Sequence, residues 1–340
     1  MRRRLLLTTS SVDALTIEDY MTVYALEDGL TVTFTGNQCE YCIDGSMNWV
    51  ELPSGTPTPI INAGQTISFR AEAVVDYYAG IGEITISKKC NLLGNCMSLL
   101  YGDKGRFKKR VPNTAFQELF RGNETIIEVS QKFLPATDLG SNCYQLMFAY
   151  CTNLVTAPDI LASQLSTQSC KSMFKNCASL VSAPKLPSKA LATGCYNEMF
   201  YGCSALKYAP ELPATILFDY CYYLMFSRCT SLVNPPQMYA EKLAKSCCYS
   251  MFSECSALET APVLLATTLS ANCYERMFYR CSALASVKML ATDISASGCL
   301  TNWLLGVASS GRFIKNIDAT WDVVGASGVP EGWTIERAAA

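Results

Sequence analysis

A repeat of 26 residues runs through the C-terminal two-thirds of this chain and constrains its fold more than any other feature. In one full copy, residues 195–210, the unit reads C-Y-x-x-M-F-x-x-C-[TSA]-x-L-x-x-A-P. Six successive copies carry Met-Phe, Cys and Leu at fixed offsets, and their methionines are Met147, Met173, Met199, Met225, Met251 and Met277. Because one coil cannot bury its own apolar side chains, a period of roughly 20–30 residues predicts a solenoid of stacked coils.

Spacing within the repeat predicts the local structure of each coil. Tyr196, Met199, Phe200 and Cys203 follow the i, i+3, i+4, i+7 pattern of one helical face, which predicts a short helix facing inward. The next segment, 206–212, predicts a short strand of a parallel ladder. A column of prolines requires that strand to end early, because proline cannot donate to a ladder. These residues are Pro158, Pro184, Pro210, Pro236 and Pro262.

The expected fold class is therefore an α/β repeat, a leucine-rich-repeat-like solenoid with one short helix and one short parallel strand per coil. Degenerate copies precede the array at Leu119 and Phe120 and follow it at Cys299 and Trp303. We expect the solenoid over 126–305, a linker and N-terminal cap over 91–125, and a C-terminal cap over 306–340. Caps are needed because terminal coils must shield an open edge.

The N-terminal quarter has a different texture. Short β-branched or aromatic segments alternate there with Asp-Gly, Gly-Asn and Ala-Gly turn signals. This pattern is typical of a small antiparallel β-sandwich, expected over 18–90 as an anchoring domain behind a basic arm at 1–17. The predicted strands are 20–26, 30–35, 40–43, 49–52, 66–71 and 82–87.

Composition argues against most enzyme chemistry. The chain has no histidine, which removes Ser-His-Asp and Cys-His catalysis and histidine-held zinc or haem. No pair of carboxylates is singled out for glycoside hydrolysis. With 27 basic and 29 acidic residues, nothing attracts nucleic acid. We expect no enzymatic activity, no cofactor and no metal.

The first seven residues, MRRRLLL, resemble the start of a signal peptide. Their apolar run, Leu5 to Leu7, is shorter than the roughly 7–15 residues that export needs. No stretch is long enough for a transmembrane helix, so we expect no membrane insertion. Arg2, Arg3 and Arg4 are candidates for an arm that docks onto a neighbouring subunit.

The chain contains 18 cysteines, most of them in the repeat columns. Identical thiols on successive coils have parallel Cβ directions, a poor start for disulfide geometry, so we expect reduced packing residues formed in a reducing compartment. Cys39, Cys42, Cys90 and Cys96 leave alternatives open: a zinc site, core filling or one local disulfide.

Positions between the Phe and Cys of the repeat carry variable aromatic and charged residues. Tyr and Arg often anchor protein interfaces, which makes these positions a candidate partner-binding surface. A solvated convex face is the alternative. The candidates are Tyr150, Tyr201, Arg228, Tyr279 and Arg280.

The repeat resembles the BspA-like (Treponema-type) leucine-rich repeats of Bacteroides-type bacteria and their bacteriophages. The likeness lies in the segments CYNEMFYGCSAL, CYYLMFSRCTSL, APELPAT and the tail GVPEGWTI. The stretch 40–52, together with 91–103, is similar to a leader module often joined to such arrays. The resemblance implies adhesion, or contact with protein or glycan, without catalysis.

With no export signal expected, these features predict a structural and adhesive protein of a bacteriophage virion, such as a head fibre, capsid decoration or tail-associated protein. The N-terminal region would contact other virion proteins or copies of itself. The solenoid would meet a host surface protein or glycan. The alternatives are a bacterial cell-surface adhesin and, as a third class, a carbohydrate-active enzyme with a repeat appendage.

Overall fold

The computed structural model describes residues 15–75 and 80–338, so the candidate arm residues Arg2, Arg3 and Arg4 lie outside the described residues. An N-terminal β region is followed by a solenoid of about nine coils, whose period near 26 residues is as predicted. The two parts share one continuous apolar core that runs from Met21 to Trp333.

All six strands predicted for the N-terminal region are present, each within two residues of its expected bounds. Together with a seventh, they are β1 (Met21–Ala25), β2 (Val32–Gly36), β3 (Cys39–Ile43), β4 (Val50–Leu52), β5 (Thr66–Arg70), β6 (Gly82–Ile86) and β7 (Cys90–Gly94). The strands β2 and β6 pair antiparallel, apart from the larger sheet. Apolar side chains of both sheets, such as Val23 and Phe34, belong to the same core.

The seventh strand, β7, joins this region to the solenoid. The larger sheet has the order β4-β3-β5-β1-β7-β9, where β9 (Ile126–Val129) belongs to the first coil. β7 pairs antiparallel with β1 and parallel with β9. The sheet therefore continues directly into the ladder of the coils.

The remaining elements are short. A 3-10 helix (Ile17–Asp19) precedes β1, and α1 (Ser98–Tyr101) leads into a second 3-10 helix (Gly102–Phe107). The other strands are β8 (Arg110–Val111), β10 (Asp138–Leu139), β11 (Ser286–Met289), β12 (Gly311–Asn316) and β13 (Trp333–Ala338). β12 lies between β11 and β13 in a parallel sheet that ends the described chain.

The predicted helix of each coil is wrong, since within 126–305 the chain forms a ribbon of turns instead. Alternate N–H groups leave the coil: Tyr144 and Phe148 donate to carbonyls of the next coil, 2.8 and 2.9 Å away. The N–H groups between them bond three residues back within the coil. In an α-helix every such bond would stay inside the segment.

The ribbon has a period of four residues. Asn142, Leu146 and Tyr150 all take positive φ, between 55° and 64°, and the same three positions recur in later coils. Buried pairs such as Cys143-Tyr144 and Met147-Phe148 alternate with outward pairs. The i, i+3, i+4, i+7 spacing belongs to this repeat as well as to a helix, which is why the sequence pattern misled.

The strand side of the coil is as short as the proline column required. Thr156, Ser182 and Tyr208 form single parallel bridges from coil to coil. Each lies two residues before a buried proline of the column, for example Pro158 after Thr156. The prediction that the strand ends near this proline is confirmed.

Like side chains stack on like along the solenoid. Adjacent phenylalanine rings from Phe120 to Phe278 lie 5.3–5.8 Å apart and within 11° of parallel, and Trp303 ends the column. The second cysteine column bonds across coils: the thiol of Cys177 donates to the Phe148 carbonyl at 3.1 Å, and equivalent bonds recur up to Cys281.

All 18 cysteines are free and buried, as expected for packing residues. Cys39 and Cys42, three apart on β3, are divided between two environments: Cys39 lies in the main core, whereas Cys42 neighbours Ser68 and Arg70. Within the described residues, no group of three or more histidine, cysteine or acidic side chains could hold a metal ion.

Glycines in the positive-φ columns give a direct test of coil-to-coil contact. Gly122 and Gly202 occupy the same repeat position, with φ of 71° and 74°. A Cβ at Gly202 would lie 2.1 Å from Oδ1 of Asn176, whereas a Cβ at Gly122 would meet no atom within 4 Å. We expect Gly122→Ala to cost about 1 kcal/mol of unfolding free energy for its backbone strain. Gly202→Ala should cost up to about 1 kcal/mol more, because the Asn176 side chain must move away from the new Cβ.

Urea unfolding of both variants measures the difference. The extra loss at Gly202 should disappear when Asn176 is also replaced by glycine. An extra loss at Gly202 that persists without the Asn176 side chain would contradict contact with that residue as its cause.

The thiols predict an alkaline limit on stability. Burial raises the pKa of Cys203 to about 12, while an unfolded thiol ionises near pH 8.5. The protonated thiol therefore favours the folded state fully below that pH, and its contribution is lost as pH rises towards 12, by about 1.4 kcal/mol per pH unit. We expect urea midpoints to fall steeply between pH 8.5 and 10.5, and Cys203→Ala to lower the slope.

Native protein should also resist iodoacetamide at pH 8, and unfolded protein should react fully. Rapid labelling of Cys203 in the native state would show that the column is open to solvent.

Candidate binding surface

The outward side of the turn ribbons forms one continuous face, which we call the ribbon face. Two outward residues follow each buried pair, so side chains stand in columns one coil apart. Because the inter-coil hydrogen bonds fix the backbone, these side chains are held on a rigid support. The ribbon face comprises the segments 141–150, 167–176, 193–202, 219–228, 245–254 and 271–280.

All five predicted surface residues lie at the same end of the ribbon face. Tyr150, Arg228 and Arg280 occupy its last positive-φ column, with φ between 58° and 64°. Tyr201 and Tyr279 precede that column by one residue. Their role in binding a partner stays a prediction.

Each of these tyrosines lies under a cation of the chain itself. The guanidinium of Arg280 lies 5.0 Å from the ring centroid of Tyr279, and the ammonium of Lys175 lies 4.9 Å from that of Tyr201. Arg121 lies 5.8 Å from the ring centroid of Tyr150. Cation–π contacts thus already occupy these rings.

Two ion pairs join neighbouring coils on the ribbon face. Lys175 contacts Glu198 at 2.5 Å, and Arg228 contacts Glu254 at 3.3 Å. The exposed pair, Arg228 with Glu254, contributes little stability, about 0–1 kcal/mol. With six basic and four acidic residues, the ribbon face carries a formal charge of +2.

Three tyrosines that sequence reasoning missed form the aromatic centre of the ribbon face. The rings of Tyr223 and Tyr249, on adjacent coils, lie 4.8 Å apart and within 10° of parallel. Tyr220 packs edge-on against Tyr223 at 6.0 Å. All three are half-buried. The four-residue alternation was the signal for them, because it turns every residue pair between the buried pairs outward.

Acidic side chains flank this tyrosine group. Burial raises the pKa of Tyr223, and the charges of Tyr249, Glu198 and Glu275 raise it further. Oε2 of Glu198 accepts hydrogen bonds from Lys175 and Ser172, at 2.5 and 3.2 Å. Oε2 of Glu275 accepts one from Asn272 at 2.5 Å. Each carboxylate is therefore held in place through one of its own two oxygens, Oε2.

A second polar cluster lies in the N-terminal region and is fully paired. Arg70 donates to Glu40 at 2.7 Å and to Asp103 at 2.9 Å, and its guanidinium lies 4.4 Å from the ring centroid of Trp49. Burial raises the pKa of Asp103, but hydrogen bonds from Tyr20 and Arg70 outweigh it and leave the pKa lowered. This carboxylate stays ionised and paired, a poor state for a general acid.

Comparison with known proteins adds no relative. No protein-family model, no curated protein and no solved structure matches the chain. Among the described residues, no helix combines the length and apolar character needed to cross a bilayer. The fold alone defines the class, a repeat protein built as a solenoid of parallel-stacked coils.

Proposed function

We propose that the chain is a non-enzymatic structural and adhesive component of a bacteriophage virion: a head fibre, a capsid decoration or a tail-associated protein. Its N-terminal region attaches to other virion proteins or to copies of itself. The solenoid presents the ribbon face to a protein or glycan of the host surface. Its detailed type is the BspA-like leucine-rich repeat that the sequence motifs resemble.

One observation carries the adhesive part of this proposal. The inward positions of successive coils are nearly constant, whereas the outward pairs of the ribbon face change from coil to coil, from Asn197-Glu198 to Tyr223-Leu224 to Glu275-Arg276. A rigid backbone with variable outward side chains binds with little loss of conformational entropy. Solenoids commonly use extended surfaces in this way.

The thiols support a non-enzymatic role for a protein that folds inside a cell. A cysteine nucleophile needs an exposed thiolate with a lowered pKa. Here burial raises the pKa of each thiol for which a shift is resolved, Cys195 among them at about 12. Free cysteines in such number are typical of proteins folded in a reducing compartment, as a virion protein is.

The continuous sheet supports an anchoring role for the N-terminal region. β7 pairs with β9 of the first coil, so the N-terminal region is joined to the solenoid by ladder hydrogen bonds and a shared core. A load on the solenoid is thereby carried into the anchor without a flexible hinge.

The second candidate is a bacterial cell-surface adhesin exported by an unusual route. The resemblance of the repeat to BspA-like surface proteins favours it. Both candidates share the ribbon face and the lack of chemistry, and they differ in where the protein resides.

Mass spectrometry of purified virions tests the first candidate. We expect to detect the chain in virions at a stoichiometric amount. An antibody against it should block attachment of the virions to host cells. Surface proteolysis of uninfected cells should release no fragment of it, whereas such release would identify the adhesin. A chain found only free in the cytoplasm would overturn both. Turnover of a polysaccharide by the purified protein would establish the enzyme class instead.

A further inference from the structure

We propose that the tyrosine group of the ribbon face, Tyr220, Tyr223 and Tyr249, binds the pyranose rings of a neutral glycan. This inference rests on the proposed adhesive function and names the chemical class of its ligand. A pyranose is amphipathic: one face presents C–H groups to an aromatic ring, and its hydroxyls donate to fixed acceptors at the rim.

The stack leaves one outer ring face on each side. Successive coils carry Asn197, Tyr223, Tyr249 and Glu275 at one position of the repeat. Tyr223 and Tyr249 cover each other at 4.8 Å. The remaining face of Tyr223 is therefore turned towards the coil of Asn197 and Glu198, and that of Tyr249 towards the coil of Glu275.

These faces are not taken by cations. Among the described residues, arginine and lysine side chains lie over Tyr150, Tyr201 and Tyr279, and none lies over the rings of the tyrosine group. The ribbon face therefore has two kinds of tyrosine: those whose rings contact a cation, and those of the tyrosine group, whose rings do not. The rings of the tyrosine group contact one another instead of a cation.

Acceptors for hydroxyls stand beside both outer faces. Each flanking carboxylate, Glu198 and Glu275, uses Oε2 for the bonds that hold it in place. Oε1 of each accepts no hydrogen bond from the part of the chain that the structure describes. An ionised carboxylate oxygen in a fixed position is a strong acceptor for a sugar hydroxyl.

The surroundings favour a neutral glycan over a protein partner. Protein interfaces of standard size cover about 800 Å² per partner around apolar anchors. Tyr150, 38% exposed, lies at the first coil of the ribbon face; the well-exposed large apolar side chains of the later coils lie off it, at Tyr208, Ile216, Phe218, Val233 and Val263. The carboxylates whose charges act on Tyr223, those of Glu198 and Glu275, disfavour an anionic polymer at this site.

Affinity electrophoresis of the full chain tests the site directly. Galactomannan, xyloglucan and mixed-linkage β-glucan serve as neutral probes, and dextran sulfate is the control for charge. We expect at least one neutral polysaccharide to retard the protein. Tyr223→Ala and Tyr249→Ala should each weaken that binding at least tenfold, and Glu275→Gln several-fold, while Tyr223→Phe, which keeps the ring, should bind nearly as the parent does.

Tyr208→Ala is the matched control, because Tyr208 is 66% exposed but lies on the strand side of the coil. Circular dichroism and urea midpoints check that each variant folds. Retardation by dextran sulfate alone, or binding that is unchanged in Tyr223→Ala and Tyr249→Ala, would overturn the proposal.

Attachment of the labelled chain to intact host bacteria separates this proposal from the adhesive function. Periodate, which cleaves vicinal diols of sugars, should abolish attachment, and proteinase K should leave it intact. If proteinase K abolishes attachment and periodate does not, the chain is an adhesin with a protein receptor and the glycan inference fails. If untreated cells bind no protein, the adhesive function itself fails.

Discussion

Hydrogen bonds between neighbouring coils are the interaction on which this structure depends. Alternate N–H groups of each ribbon, such as those of Tyr144 and Phe148, have their carbonyl partners only in the next coil. An isolated coil would leave half of these groups without protein partners, and its apolar side chains would lie in water. Folding of one coil therefore requires its neighbours, and like side chains are forced to stack on like.

That ladder also explains the residue types of the interior. The rings of Phe148 and Phe174 are parallel within 4°, with their centroids 5.7 Å apart, so each phenylalanine packs on its counterpart in the next coil. The carbonyl of Phe148 accepts both the N–H of Cys151 and the thiol of Cys177. A cysteine fits there because it is a small apolar side chain that can still donate a hydrogen bond.

The ends of the ladder are closed in different ways. At the N-terminal end β7 continues it into a sheet. At the C-terminal end three tryptophans, Trp303, Trp321 and Trp333, each donate their indole N–H to a backbone carbonyl at 2.8 Å. Lys315, 2% exposed, donates to the Trp321 carbonyl and to Asp322, which satisfies its charge inside the cap.

The amino-acid sequence by itself determined the period, the stacking of the repeat columns and the six N-terminal strands, because these follow from the spacing of apolar residues. It also determined the early end of the strand at Pro210 and its counterparts, because proline has no N–H group to donate. Only the tertiary structure decided that the segment from Cys143 to Cys151 forms a ribbon of turns with a four-residue period, and that Tyr223 stacks on Tyr249. The physical reason is that positive φ at residues such as Leu146 and Tyr150 is unfavourable locally, and bonds to the next coil compensate for it. A pattern read along one chain segment contains no information about those bonds.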